Sequence, residues 1–147
     1  MNDQSITHPS GFSDADLTET ELDGEIVYEG SFFRVRKDRV RLPDGGVAAR
    51  EYIRHPGAVV ILPLFDDGTV LVERQFRYPV KRIFIEFPAG KIDRGEDRLA
   101  SAKRELEEET GYCAKDFIYL DYFIPTPGYC DEKIHIYLAR NLYKGTV

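Results

Sequence analysis

The chain has 147 residues, 42% of them apolar and 31% charged, the balance of a single soluble globular domain long enough to bury a core. No apolar run approaches the roughly 18 residues of a membrane span, and no basic stretch leads into an apolar one as in a signal peptide. The net charge of −6 is unevenly spread: residues 1–33 hold eight acids and no Lys or Arg, which leaves +2 on the remainder.

That acidic segment reads as a disordered or loosely attached leader over residues 1–20, with a folded domain over 21–147. Residues 25–29 and 32–41 read as strands by alternation and by aromatic and β-branched content. Pro43-Asp44-Gly45-Gly46 makes a turn, and 47–54 returns, so an N-terminal β-hairpin is expected over 32–54. This stretch carries seven bases: Arg34, Arg36, Lys37, Arg39, Arg41, Arg50 and Arg54. They read either as a solvated strand face or as contacts to an anionic phosphate ligand. They are not interleaved with aromatics in a nucleic-acid module, so no nucleic-acid partner is expected, and no membrane partner either.

The run AVVILPLF at 58–65 suits a buried central strand. A turn at Asp66-Asp67-Gly68 leads to a strand over 69–76, and RIFIEF at 82–87 forms another. Pro88-Ala89-Gly90 breaks it. A helix is expected over 97–110, stopped by Gly111. Strands over 117–124 and 133–139 flank a loop at Pro125-Thr126-Pro127-Gly128. The sum is an α/β fold with a mixed β-sheet and one chemistry-bearing helix. Cys113 and Cys130 suit a reducing cytoplasm better than a disulfide framework.

The helix is the informative element. Arg104-Glu105-Leu106-Glu107-Glu108-Glu109 puts four carboxylates and one guanidinium into six positions. At about 100° per residue, Leu99, Ala102 and Leu106 share an apolar stripe, and Glu105, Glu108 and Glu109 fall on a neighbouring arc roughly 100° wide. Glu107 points to the opposite side. Two readings are open at this point: a solvated acidic face tied by Lys103 and Arg104, or a cluster that holds a hard divalent cation such as Mg2+ or Mn2+.

The wider window supplies more. Gly90, Glu96, Arg104-Glu105-Leu106, Glu108-Glu109 and Gly111-Tyr112 stand at the spacing G-x5-E-x7-R-E-U-x-E-E-x-G-U, with U a bulky aliphatic. This resembles the Nudix box at nine constrained positions across 23 residues, with one departure: Tyr112 stands where Ile, Leu or Val is usual. The resemblance implies an α/β/α sandwich and hydrolysis of a nucleoside diphosphate-linked molecule. It also implies metal ligation by Glu105, Glu108, Glu109 and the backbone carbonyl of Ala89, with Arg104 orienting a carboxylate such as Glu96 or Glu108. The family usually adds a strand and a second long helix beyond the point this chain reaches, so a C-terminal helix is missing from the expectation, whether by truncation or because a partner completes the fold. Asp131 and Glu132 are the acidic loop residues nearest to where relatives place a further glutamate.

Pro127, 16 residues after Gly111, together with the segments ERQFRYP at 73–79 and EFPAGK at 86–91, resembles the ADP-ribose pyrophosphatase subgroup. On that resemblance Arg77 and Glu86 line the diphosphate and terminal-ribose region. Tyr28 or Phe32 stacks on adenine, and a homodimer shares the site. The implied reaction is metal-assisted attack of water on ADP-ribose, giving AMP and ribose 5-phosphate. Rival readings are a diphosphatase for another nucleotide sugar or a dinucleotide cofactor, and a non-catalytic nucleotide sensor on the same fold.

Overall fold

A computed structural model describes residue 11 and residues 13–146. Of the expected leader, residues 1–10 and 12 lie outside the described residues. The chain forms two units, one reaching to Ile53 and the other starting at Arg54.

The first unit is an antiparallel sheet of β1 (Thr20–Glu29), β2 (Arg34–Arg41) and β3 (Val47–Arg54), in the order β1-β2-β3. The hairpin appears as expected, and β1 begins five residues earlier than its sequence suggests. Glu21, Asp23 and Gly24 are poor strand formers by composition. They are drawn in by charge: Asp23 lies opposite Arg39, Glu25 opposite Lys37 and Glu29 opposite Arg34. Asp23 is hydrogen-bonded by Arg39, Glu19 by Arg50, and Glu29 by Arg34 at 2.9 Å. Arg36 spans Glu21 at 3.4 Å and the buried Asp38 at 2.9 Å, and Lys37 meets Glu51 at 3.5 Å. Arg34, Arg36, Lys37, Arg39 and Arg50 are therefore compensated by acids of this sheet or the turn ahead of it, while Arg41 donates to the Gly45 carbonyl. Each exposed pair is worth about 0–1 kcal/mol, so their main effect is to fix which residues face each other.

The second unit contains β4 (Ala58–Pro63), β5 (Glu73–Arg77), β6 (Arg82–Glu86), β7 (Ala89–Lys91), α1 (Arg98–Thr110), β8 (Tyr112–Phe123) and β9 (Ile134–Lys144). A four-stranded mixed sheet runs β7-β4-β9-β8, with β4 and β9 parallel and the other pairs antiparallel. β5 and β6 pair as a separate antiparallel ribbon. The apolar run at 58–65 is the interior strand β4, as its composition demands. α1 is the single α-helix among the described residues. The expected break at Pro88-Ala89-Gly90 is instead a buried Pro88 followed by the short edge strand β7. Gly90 reads as a breaker locally, yet it pairs with Val59 because the sheet supplies a neighbour.

α1 is capped at both ends. Asp97 accepts from the backbone N–H groups of Leu99 and Ala100 at 3.1 and 3.2 Å. Gly111 takes φ 70°, a left-handed conformation that costs glycine little, and its N–H closes on the Glu107 carbonyl at 2.8 Å. The apolar stripe of α1 packs Ala102 and Leu106 on Val59, Ile61, Tyr137 and Ala139, with Leu99 and Phe117 at the edge. Leu106 is fully buried. Leu106→Ala is expected to lower unfolding stability by about 2–5 kcal/mol, read as a shift of the urea midpoint at constant slope.

Candidate active site

Seating Leu106 in the core fixes the rotation of α1, and this turns Glu105 and Glu109 toward β7, with Glu108 beside them exposed and bonded to Arg104. Glu105 lies directly over Gly90. A Cβ on Gly90 would stand 2.0 Å from the carboxyl carbon of Glu105, so only glycine leaves space for that carboxylate against the backbone. Glu109 accepts a hydrogen bond from the Ala89 N–H at 3.0 Å. Two of the three arc residues are thus docked on the strand just ahead of the helix.

Arg104 is the organising cation. Its Nε and Nη2 each reach Glu96 at 3.0 Å, as a two-pronged fork. Its Nη1 donates to Glu105 at 2.8 Å and to Glu108 at 3.2 Å. Glu96 also accepts from the Ser101 hydroxyl at 2.5 Å and the Asp93 N–H at 3.3 Å. These donors, Arg104 first, hold the Glu96 carboxyl down at about 2. A carboxyl depressed in the folded state stabilises the fold above its unfolded pKa, near 4.5, and loses that contribution as pH falls toward 2. Thermal melts from pH 6 to 2 should therefore show a steep loss of stability below pH 4.5, and Glu96→Gln should flatten that slope. A parallel slope in the variant would show that Glu96 is not a source of it.

The β5–β6 ribbon brings three more charged groups. Arg77 donates to both oxygens of Glu86 at 3.0 and 3.1 Å, and Glu73 lies opposite Glu86 in the register. Burial and the nearby Glu86 push the Glu73 carboxyl up, and Glu105 adds to this while Arg77 opposes it. Glu109 rises further, to about 7. Partial desolvation is the main cause and repulsion from Glu73 and Glu105 adds to it, against the pull of Ala89 N–H and Arg77. Glu105 thus lies close enough to disfavour the charge on both Glu73 and Glu109. Gln75, on the same face of β5 as Glu73 and Arg77, has a buried amide oxygen without a partner.

Among the described residues, no three His, Cys, Asp or Glu side chains converge tightly enough to hold an ion as they stand. The carboxylate oxygens are occupied by Arg104 and the Ala89 N–H. The donor set nonetheless suits a hard divalent cation. It is all oxygen, it is short of positive charge where Glu73, Glu105 and Glu109 meet, and the missing Cβ at Gly90 leaves a cradle beside Glu105.

The other sequence candidates fall elsewhere. Pro127 is exposed in the turn closed by the Tyr129 and Cys130 N–H groups on the Thr126 carbonyl. Asp131 binds Arg54 at 2.7 Å and the His55 N–H at 2.8 Å, and Glu132 lies 3.6 Å from the His55 ring. Both acids therefore hold the turn into β4. Tyr28 and Phe32 belong to the first unit. Both are exposed and each meets Phe33, at ring centroids of 5.8 and 5.0 Å. Glu73 is the residue that sequence reasoning passed over. Its signal was present, because it opens the ERQFRYP segment and alternation places it on one strand face with Arg77.

The NUDIX domain profile matches residues 54–147, and the profile of the nucleoside diphosphate sugar hydrolase N-terminal domain matches residues 19–53. The boundary falls where the two structural units divide. The chain is 40% identical to an ADP-ribose pyrophosphatase of Bacillus subtilis over 126 residues, which is 86% of this chain and 68% of that protein. It is 38% identical to an ADP-ribose pyrophosphatase of Mycobacterium tuberculosis over 122 residues, 82% of this chain and 59% of that one. Among solved structures, a crystal structure of ADP compounds hydrolase superposes with a TM-score of 0.77 at 28% identity, covering 89% of this chain and 72% of its own.

Proposed function

The chain belongs to the Nudix family, and from that premise we propose that it hydrolyses the diphosphate bond of ADP-ribose to AMP and ribose 5-phosphate, using Mg2+ or Mn2+. The observation that carries this reading is the meeting of Glu73, Glu105 and Glu109 with Arg77 at the backbone of Ala89 and Gly90. Glu105, Glu108, Glu109 and the Ala89 carbonyl would hold the metal. When bound, a divalent cation neutralises phosphate charge and lowers the pKa of a bound water. Arg104 keeps Glu105 and Glu108 turned to the same side and so acts as a positioning residue. Arg77, exchanging part of its hold on Glu86 for phosphate oxygens, supplies positive charge to the diphosphate. We assign Glu86 to the terminal-ribose side, Tyr28 or Phe32 to adenine stacking, and Pro127 to the loop bordering the substrate.

A nucleotide sugar other than ADP-ribose is the second reading, favoured by the match of residues 19–53 to the nucleoside diphosphate sugar hydrolase profile. One product assay separates the two. Purified protein is incubated with ADP-ribose, GDP-mannose and a reduced dinucleotide, with Mg2+ and with EDTA. AMP and ribose 5-phosphate appearing only from ADP-ribose with metal is the expected result. Cleavage of the sugar nucleotide alone selects the second reading, and no product from any substrate removes both.

We further assign a homodimer in a reducing compartment. Phe76, Tyr78, Val80, Ile83 and Ile85 of the β5–β6 ribbon are all more than half exposed, more apolar surface than a monomer usually leaves open, and both cysteines are free thiols. Light scattering at micromolar concentration reads the dimer directly. Among the described residues no helix is long and apolar enough to cross a membrane.

A further inference from the structure

We propose that the groove between α1 and the β8–β9 pair is a second ligand site, taking a small phosphorylated molecule that carries a flat ring. The groove has a volume of about 610 Å3, within the range of small-molecule sites. Leu99 and Phe117, both packed against the core, form its apolar floor. Lys103, Lys115 and Arg140 stand around it.

Lys103, Lys115 and Arg140 form no ion pair among the described residues, as is common for the cations of this unit; what sets them apart is that all three stand around one groove with an apolar floor. The single acid of the groove, Asp116, lies opposite Arg140 in the β8–β9 register. Its carboxylate, however, is hydrogen-bonded by the Asn141 side-chain amide. Asn141 holds φ 56°, a left-handed conformation uncommon for a residue with a side chain. Asp116 keeps its charge while bonded to Asn141, so three cations face one carboxylate over an apolar floor and the groove carries a net charge of +2. Lys103 lies 5.9 Å from the Phe117 ring centroid, so the ring face is already used by a cation, and an aromatic ligand finds the same surface.

An anion satisfies this arrangement and a cation does not. Inorganic phosphate alone would meet the charges but leave Leu99 and Phe117 unused, which is why the class is a phosphate bearing a ring. The groove is distinct from the carboxylate edge, because Lys103 lies about 160° around α1 from Glu105.

The test is an NMR titration of the full chain, in EDTA, with phenyl phosphate and with inorganic phosphate. Saturable shifts at Lys103, Phe117 and Arg140 are expected, with phenyl phosphate the tighter ligand. The Lys103→Ala, Arg140→Ala double variant should weaken it at least about tenfold. Lys115→Glu is a second variant with the same expected direction, should the double variant fold poorly. Shifts confined to the Glu105 edge, shifts that never saturate, or unchanged affinity in the folded variants would overturn the site. Equal affinity for the two probes would overturn the ring-bearing class.

Discussion

Replacing Glu109 with Gln is expected to cut turnover of ADP-ribose by on the order of a thousandfold while leaving the fold intact. Glutamine has the same shape and can still accept from the Ala89 N–H, as Glu109 does at 3.0 Å. What it cannot supply is negative charge at the place where charge matters most. Glu109 stands near Glu73 and Glu105, and both carboxylates disfavour its charge. A protein kept for stability alone gains nothing from that crowding, and neutralising one member relieves it. In EDTA the variant should therefore melt no lower than the parent. The measurement pairs a product assay in Mg2+ with a thermal melt in chelator. Full activity with a neutral residue at 109 would remove Glu109 from the mechanism. A melting temperature several degrees lower would mean that the crowding is compensated elsewhere.

Gly90→Ala should be nearly as damaging to activity for a different reason. The added methyl carbon would fall 2.0 Å from the Glu105 carboxyl carbon and 2.0 Å from one of its oxygens. The obstacle is the far end of a flexible side chain, so Glu105 swings aside and β7 keeps its pairing with β4. The cost is placement, and a misplacement near 1 Å in a catalytic group is worth about a hundredfold in rate. We expect kcat to fall by at least that factor with a melting temperature close to the parent's. The double variant Gly90→Ala, Glu105→Asp shortens the displaced side chain and should recover part of the loss. Retention of parental kcat in Gly90→Ala would show that the seat of Glu105 over the strand is immaterial to turnover.

How much of this was legible beforehand depended on whether the signal was local. The spacing of Leu99, Ala102 and Leu106 placed α1 and its buried stripe, and the period of the helix then put Glu105, Glu108 and Glu109 on one side. Both statements need only neighbours three or four residues apart. The run at 58–65 announced an interior strand because nothing polar interrupts it. Several features escaped, among them the start of β8 at Tyr112, five residues ahead of the expected strand, and two others whose cause is plain. The short strand at Ala89–Lys91 depends on Val59 and Val60, some thirty residues earlier, and its own residues argue against it. The early start of β1 depends on bases that come later in the chain, so a scan for alternating apolar residues does not find it. The site divided along the same line. Carboxylates within one helix were found from spacing, whereas Glu73 joins them only through packing of the β5–β6 ribbon near the helix, which no local pattern records. The role left open for Asp131 or Glu132 found no support, because Arg54 and His55 already hold both.

The division of acids and bases between β1 and β2 also bears on synthesis. Residues 1–33 hold eight acids and no Lys or Arg, so nascent copies of this stretch repel one another until the bases that follow it emerge. Counterions for the four acids of β1, Arg34, Arg36, Lys37 and Arg39, follow on the same polypeptide within a few residues. Neutralisation therefore arrives in cis and almost at once, and a solitary edge that is prone to aggregate meets its own complement before it meets a neighbour's.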